Sequence, residues 1–213
     1  MFPRLRPLCA VLASALLAAC ASTPEPTIDA TASFELRIVH INDHHSRLAP
    51  DPGNALVLDG QEVQLSFGGF PAAAQALSDL AGGHANLLKL HAGDAITGDL
   101  YFTLFQGEAD ADLMNTVCFD AFAIGNHEFD TGDAGLKKFL DYLWKDRSRC
   151  ATPALGANIR PSVGRSPLAP NSATDYIQPR IVLERGGRRV GIVGIDIAGK
   201  TKNASSPDEG TEF

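Results

Sequence analysis

The stretch that decides the fold is Gly125-Asn126-His127-Glu128-Phe129-Asp130, which directly follows the apolar segment at residues 119–124. It brings a carboxamide, an imidazole and two carboxylates into one short turn. A glycine at the end of a strand lets the backbone come close to a group bound there. Open α/β sheets bind their ligands beyond the carboxyl ends of their strands. The stretch therefore predicts a strand that ends in a functional turn.

Two further polar clusters follow strand-like segments upstream. Residues 34–41 (FELRIVHI) lead into Asn42-Asp43-His44-His45, and residues 86–91 lead into Ala92-Gly93-Asp94. Three clusters of this kind, each placed after a predicted strand, favour one shared site over three ordinary polar turns.

The remaining segments complete an α/β pattern. Helices are predicted from composition and apolar periodicity over residues 71–80, 109–117 and 135–145. A short strand is predicted over residues 154–159, and hairpins are predicted around Asp59-Gly60 and around residues 184–187. Strands that alternate with helices and end in polar clusters indicate a layered α/β domain.

Composition limits the classes of partner. The 213 residues are 45% hydrophobic and 20% charged, which is ordinary for a globular domain, and the net charge is -7. A polymeric nucleic acid usually requires a basic face, so we expect no nucleic-acid polymer as a partner. Small anionic substrates stay compatible with the charge, because bound divalent cations reverse the sign of a local field.

The first cluster has the chemistry of a metal site. Asp43 and His45, two residues apart on a loop, can face one cleft, and a carboxylate with a neutral imidazole suits Zn, Mn or Fe better than Mg or Ca alone. The adjacent His44 cannot easily bind the same ion. It is interpreted either as lining the pocket behind the ligands or as part of a solvated loop.

The other two clusters offer complementary groups. Asp94 could bridge two cations with its two oxygens, although an aspartate here could also cap a helix or form an Asx turn. Asn126 offers a neutral oxygen ligand. His127 could bind a metal or act on a substrate, and Asp130 could orient its ring by accepting a hydrogen bond.

The order Asp43-x-His45, Gly93-Asp94, Gly125-Asn126-His127-Glu128 resembles the calcineurin-like metallophosphoesterases, and more closely the N-terminal catalytic domain of the bacterial 5'-nucleotidase family. The resemblance runs from Leu36 to about Phe213. Three segments, residues 41–46, 90–98 and 101–105, together with NASSP at residues 203–207, are most similar to the periplasmic NAD nucleotidase branch. The resemblance implies a four-layer αββα metallophosphoesterase sandwich, here incomplete at its C-terminal part.

The resemblance also implies roles for the metal-site residues. Asp43 and His45 would bind a first divalent cation, Asp94 would bridge both cations, and Asn126 would bind the second; the ions would be Zn, Mn, Mg or Co. Two such cations generate hydroxide from water and clamp an in-line displacement at phosphorus.

The implied catalytic pair is His127 with Asp130. His127, oriented by Asp130, would stabilise the charge that develops on the phosphoryl oxygens. The implied function is metal-dependent hydrolysis of extracellular nucleotides, with a nucleoside monophosphate, NAD or a UDP-sugar as substrate.

The family's later metal-binding histidines have no counterpart here, because no histidine follows His127. The sequence is therefore interpreted as a C-terminally truncated form of the domain. Two alternatives stay open: an inactive remnant without the downstream histidines, and a relative of the thiosulfohydrolase type.

The N-terminus predicts export. Arg4 and Arg6 precede an apolar stretch at residues 8–19, and the end Leu17-Ala18-Ala19-Cys20 resembles a bacterial lipoprotein signal. We expect a signal peptide over residues 1–20 with Cys20 lipidated, a tether over residues 21–33, and the catalytic domain over residues 34–213. The protein would then sit on the periplasmic face of a bacterial membrane; the alternative is an ordinary signal peptide with a chance cysteine.

In an oxidising compartment, Cys118 and Cys150 could form a disulfide or stay separate thiols.

Overall fold

Strands and helices alternate along residues 33–213, the part of the chain that the computed structural model describes. The strands are β1 (Arg37–Ile41), β2 (Asp51–Leu58), β3 (Gln61–Phe67), β4 (Leu87–His91), β5 (Ala121–Ala123), β6 (Ala154–Leu155), β7 (Arg160–Pro161), β8 (Arg180–Arg185), β9 (Arg188–Val193) and β10 (Thr211–Glu212). The helices are α1 (Phe70–Ala81), α2 (Leu100–Phe105), α3 (Glu108–Val117), α4 (Gly132–Leu143) and α5 (Ala198–Ala204). A 3-10 turn, His127–Phe129, lies between β5 and α4. The predicted α/β class is confirmed.

A four-stranded parallel sheet in the order β1-β4-β5-β6 carries the predicted site. Ile41 at the end of β1 pairs with His91 at the end of β4, and His91 pairs with Phe122 in β5. Because the strands are parallel and in this register, the loops that follow β1, β4 and β5 leave the sheet at the same edge. The three polar clusters are therefore neighbours.

Helices α1, α3 and α4 pack their apolar residues into one core with the sheet. The predicted apolar face of α4 is fully buried, and the ring of its Phe139 contacts that of Phe122 at 5.8 Å. Burial of a side chain of this size contributes roughly 1.5–3 kcal/mol. This packing fixes β5, and with it the turn that begins at Gly125.

Both predicted hairpins are confirmed. Asp59 and Gly60 have φ values of 53° and 80°, and they join β2 to β3 in the two-residue turn that needs positive φ at both positions. In the second hairpin the turn is shorter than predicted. Gly186 and Gly187 alone supply the positive φ values, so Glu184 and Arg185 belong to β8 and pair with β9.

Several elements differ from the sequence-based expectation, and the two-residue strands β7 and β10 were not predicted. Strand β6 covers only Ala154–Leu155, because the chain turns at Gly156, whose carbonyl accepts from the N–H of Ile159 at 3.2 Å. Helices α2 and α5 were not predicted. Both are short, and neither has a side-chain N-cap to mark its start.

The predictions for the N-terminal segment lie outside the described residues; they include the signal peptide over residues 1–20, Cys20 and all but the end of the tether. Within residues 33–213, no helix is both long enough and apolar enough to cross a bilayer.

Cys118 and Cys150 are free cysteines in this structure. Cys150 is buried, whereas Cys118 is partly exposed at the end of α3. Burial, and then a hydrogen bond with the Cys150 thiol, raises the pKa of Cys118 to about 11.

We expect Cys118 to be alkylated slowly at neutral pH in the native protein, because the thiolate is the reactive form and the raised pKa keeps this thiol protonated. Iodoacetamide labelling followed by peptide mass mapping, native against urea-unfolded, measures the difference. Equal native and unfolded rates for Cys118 would contradict the expectation. Labelling of both cysteines only after reduction would identify them as a disulfide.

Candidate metal centre

The loop after β1 is held against the loop after β4 by backbone hydrogen bonds. The N–H groups of Asp43, His45 and Ser46 donate to the carbonyls of Gly93, Asp94 and Ala95 at 3.0, 3.2 and 3.0 Å. Asp43 and His45 adopt left-handed φ values of 52° and 47°, which non-glycine residues seldom occupy. The hydrogen-bonded ladder therefore holds two predicted ligands in a strained backbone conformation.

His45, Asp94 and His127, one residue from each cluster, converge in space. Each offers one ligand atom, and these atoms lie within 4.8 Å of one another. The rings of His45 and His127 are 4.8 Å apart and nearly perpendicular, at 81°. Two imidazoles and a carboxylate are the donors that a divalent transition metal or zinc prefers. Within residues 33–213, this is the group of side chains that could hold a cation.

Asp43 lies beside this group and is more exposed. Its Oδ1 is 3.5 Å from Nε2 of His45, and its side chain is 54% exposed. A hydrogen bond from the Asn42 amide, aided by the charge of His45, lowers the pKa of Asp43 despite some burial. The carboxylate is therefore ionised and available to a cation, and its role as a ligand stays a prediction.

Asp94 connects the second cluster to the third. Its Oδ1 accepts the backbone N–H of His127 at 3.0 Å. The N-cap of helix α2 is Asp99, so the helix-cap alternative for Asp94 is wrong. Asp94 has a left-handed φ of 52° that turns its carboxylate towards the loop after β5.

Asn126 and the pair His127–Asp130 occupy the turn after β5. Asn126 is 2% exposed, and its amide nitrogen donates to Ser205 Oγ at 3.4 Å, which leaves the amide oxygen as the atom able to bind a cation. The predicted contact is present, with His127 Nδ1 2.7 Å from Asp130 Oδ2. Thr97 Oγ1 also donates to that oxygen, at 3.0 Å. Because Nδ1 is engaged by Asp130, Nε2 is the nitrogen that faces a ligand.

His44 does not belong to a solvated loop. Its side chain is only 10% exposed, and its two nitrogens lie 2.9 Å from His91 Nε2 and 3.1 Å from Asp110 Oδ1. Both nitrogens are therefore occupied by protein groups. Of the two interpretations from sequence, the one that puts His44 behind the ligands fits the structure.

Glu128 is a structural centre of the site that sequence reasoning missed. Its buried Oε1 accepts from the N–H of Ala95 at 2.6 Å, and Oε2 accepts from Gly125 at 2.7 Å and Asp94 at 3.0 Å. Burial and then the charge of Asp94 raise the pKa of Glu128 to about 7, although the backbone donors lower it. The sequence analysis quoted Glu128 as part of the turn at residues 125–130 but assigned it no role, because its backbone partners lie in another loop.

The glycines at these turns allow the loop after β4 and the turn after β5 to contact each other closely. A Cβ on Gly125 would lie 2.7 Å from the backbone nitrogen of Asp94, and one on Gly93 would lie 2.9 Å from the nitrogen of Gly125. Sequence reasoning attributed the space at Gly125 to a bound group. The structure shows that the neighbouring loop occupies it.

Asp196 is a second carboxylate that sequence reasoning missed. It is 4% exposed, and its Oδ2 accepts from Thr201 Oγ1 at 2.6 Å. Burial chiefly, and also the charge of Asp94, raises the pKa of Asp196, so its carboxyl belongs to the electrostatic environment of the site. A lone aspartate after β9 carries no motif that could have identified it.

The raised pKa of Glu128 predicts a pH dependence of stability. The carboxyl has an unfolded value of 4.5 and a folded value of about 7, so its ionisation opposes folding. The free energy of unfolding of the cation-free protein should fall by about 3 kcal/mol between these pH values. Urea unfolding at a series of pH values in a chelating buffer measures this fall. Glu128→Gln should remove the part of the pH dependence of the unfolding free energy that Glu128 contributes.

The matched control is Glu209→Gln, which changes an exposed carboxylate and should keep the wild-type dependence of the unfolding free energy on pH. A Glu128→Gln slope equal to that of the wild type would show that Glu128 does not titrate in this interval.

Comparison with known proteins agrees with the geometry. Residues 36–209 match the calcineurin-like phosphoesterase family. A probable 5'-nucleotidase of Treponema pallidum is 43% identical over 180 residues, which are 84% of this chain and 28% of that protein. The NAD 5'-nucleotidase of Haemophilus influenzae is 40% identical over 204 residues, 96% of this chain and 32% of that protein.

The solved structure of Haemophilus influenzae NAD nucleotidase superposes on the chain with a TM-score of 0.71 and 42% identity, covering 84% of this chain and 29% of that one. The chain thus spans about a third or less of the length of these relatives. The family match extends over most of the chain and includes all three clusters. The protein belongs to the calcineurin-like phosphoesterase family.

Proposed function

We propose that the chain carries the cation-binding and phosphoryl-contacting residues of a metal-dependent nucleotide phosphohydrolase. The observation that carries the proposal is the convergence of His45, Asp94 and His127 within 4.8 Å at the carboxyl edge of the sheet. A phosphate ester is hydrolysed mainly by positioning and by electrostatic stabilisation, and this edge supplies groups for both.

The substrate class is a nucleotide. The two relatives described above are named as a 5'-nucleotidase and an NAD 5'-nucleotidase, and their names support a nucleoside monophosphate or NAD. A UDP-sugar offers the same phosphoryl chemistry. Whichever it is, an anionic substrate meets a chain of net charge -7 and therefore requires local positive charge at the site.

The side chains present fit divalent cations. The lysines and arginines that form ion pairs within residues 33–213 do so with Asp51, Glu108, Asp120 and Asp141, all outside the site. The carboxylates of the site are close enough for Asp94 to raise the pKa of both Glu128 and Asp196. Neighbouring carboxylates with imidazole donors favour a bound cation. We assign Asp43, His45, Asp94 and Asn126 as the ligands of two such ions.

When bound, these cations supply Lewis-acid stabilisation of phosphoryl charge and lower the pKa of a water molecule. The chain's own contribution is His127. Its Nδ1–H donates to Asp130, which holds the ring with Nε2 directed to the ligand side, where Nε2–H would donate to negative charge on a phosphoryl oxygen. Thr97 fixes the position of Asp130 in turn.

The first test separates cation ligands from the catalytic pair. The wild-type chain should bind Mn²⁺ in isothermal titration calorimetry, and Asp94→Ala should lose most of that binding because the central carboxylate is gone. His127→Ala should retain Mn²⁺ while phosphate release from a nucleotide falls about 100-fold or more, as when one oxyanion donor is removed. Asp79→Ala and His84→Ala change exposed residues and serve as controls.

Each outcome assigns a role. Loss of Mn²⁺ in His127→Ala would reassign this residue as a ligand, and full activity in that variant would overturn the proposed pair. A wild-type chain that binds Mn²⁺ but releases no phosphate from any nucleotide would favour the inactive remnant. Release of sulfate from a thiosulfonate substrate instead would favour the thiosulfohydrolase alternative.

Export as a lipoprotein belongs to the same proposal and is supported by the segment Leu17-Ala18-Ala19-Cys20. In a bacterial host, the wild-type chain should incorporate labelled palmitate, and Cys20→Ala should lose the label because the acceptor thiol is absent. Cys9→Ala, within the signal itself, is the matched control and should keep the label. Labelling that survives Cys20→Ala would indicate an ordinary signal peptide.

A further inference from the structure

Behind the candidate ligands runs a buried array of three side chains, His91, His44 and Asp110. His91 Nε2 lies 2.9 Å from His44 Nδ1, and His44 Nε2 lies 3.1 Å from Asp110 Oδ1. The backbone N–H of Gly93 donates to His91 Nδ1 at 3.2 Å. His91 is 1% exposed and Asp110 is fully buried. None of these three side chains takes part in the catalytic assignment above.

The hydrogen bonds of the array have one consistent donor-to-acceptor direction, from Gly93 to Asp110. His91 Nδ1 accepts from Gly93, so the ring proton of neutral His91 is on Nε2 and is donated to His44 Nδ1. His44 must then carry its proton on Nε2, which it donates to Asp110. Burial keeps the pKa of His91 well below its ordinary value, consistent with a neutral ring. Each ring nitrogen thus has one partner, and reversing any bond would leave two acceptors facing each other.

The array joins the two ligand-bearing loops to a helix. His44 lies between Asp43 and His45, His91 ends β4 just before Gly93-Asp94, and Asp110 is in the first turn of α3. The aromatic rings of Phe70, Phe119 and Phe122 enclose the two histidines. The aspartate is favourably placed, because a helix N-terminus stabilises negative charge. Rotation of the first loop relative to the second would break the array inside an apolar enclosure.

We propose that the array of His91, His44 and Asp110 is a positioning element that sets the affinity of the site for divalent cations. The inference rests on the proposed function, since it concerns the same cation site. The array acts through the backbone of the first loop, where Asp43 and His45 sit in left-handed conformations that the chain would otherwise relax. Outer partners of metal ligands commonly change affinity by about 10–100-fold when removed.

The experiment measures Mn²⁺ affinity and cation-free stability for the same variants. His91→Phe keeps an aromatic ring in the enclosure but breaks the bonds to Gly93 and His44, and its Mn²⁺ dissociation constant should rise about tenfold or more. The matched control is Ser166→Ala, which removes a buried bond of 2.5 Å to Asp133 Oδ2 in α4, a bond that involves no residue of the array or its enclosure. The control should lose comparable stability in urea and keep the wild-type affinity.

A second pair of variants covers the case in which His91→Phe does not fold. Asp110→Asn retains an acceptor oxygen for His44 Nε2–H and should bind Mn²⁺ nearly as the wild type does. Asp110→Leu has similar size but no acceptor, and it should reproduce the loss of affinity. Rescue by asparagine at one position is a result that a purely structural role for Asp110 would not give.

The outcomes separate the two proposals. A wild-type chain that binds no Mn²⁺ overturns the proposed function itself. Wild-type affinity in His91→Phe or Asp110→Leu, with the wild type binding normally, overturns the positioning role alone. Equal losses of affinity in Ser166→Ala and His91→Phe would also overturn it, because the effect would then follow general stability.

Discussion

The carboxylate of Glu128 is the group on which the arrangement of the site depends. Its two oxygens accept backbone N–H groups from the loop after β4 and the turn after β5, so it joins two of the three clusters. A neutral side chain of the same size offers only one such oxygen. The bonds hold Asp94 where its own oxygen accepts from His127. The cost is visible in the pKa of Glu128, which burial raises to about 7 against the effect of these donors.

The first loop depends on the second in the same way. Its strained residues are fixed by a backbone ladder to the loop after β4 and by the buried histidine array beneath it. A left-handed conformation costs roughly 1–2 kcal/mol for a non-glycine residue, so such a loop needs several bonds to persist. The site therefore has an inner level of buried polar groups, which determine geometry, and an outer level of partly exposed groups, His45, Asp94 and His127, which could hold a cation.

This division explains which parts could be predicted from sequence. Strands, the longer helices and the hairpin at Asp59-Gly60 follow from local periodicity and turn chemistry, and the outer groups stand out because they follow strands directly. The inner groups could not be found this way. Asp110 looks like one more acidic residue in the first turn of a helix, and its partner His44 is distant in sequence. Only the packing of α3 against the sheet brings them together. The short helices α2 and α5 have only six and seven residues, so an apolar period could not identify them.

Charge connects the two levels. Asp94 raises the pKa of both Glu128 and Asp196, which means that the carboxylates repel one another across the site. In the protein alone this repulsion opposes folding, and the buried members feel it most because the interior screens charge weakly. A divalent cation held by Asp94 would offset this repulsion, because its charge reverses the sign of the local field. The hydrogen bonds of the two neutral histidine rings, His91 and His44, hold the loops after β1 and β4 in place beneath these carboxylates.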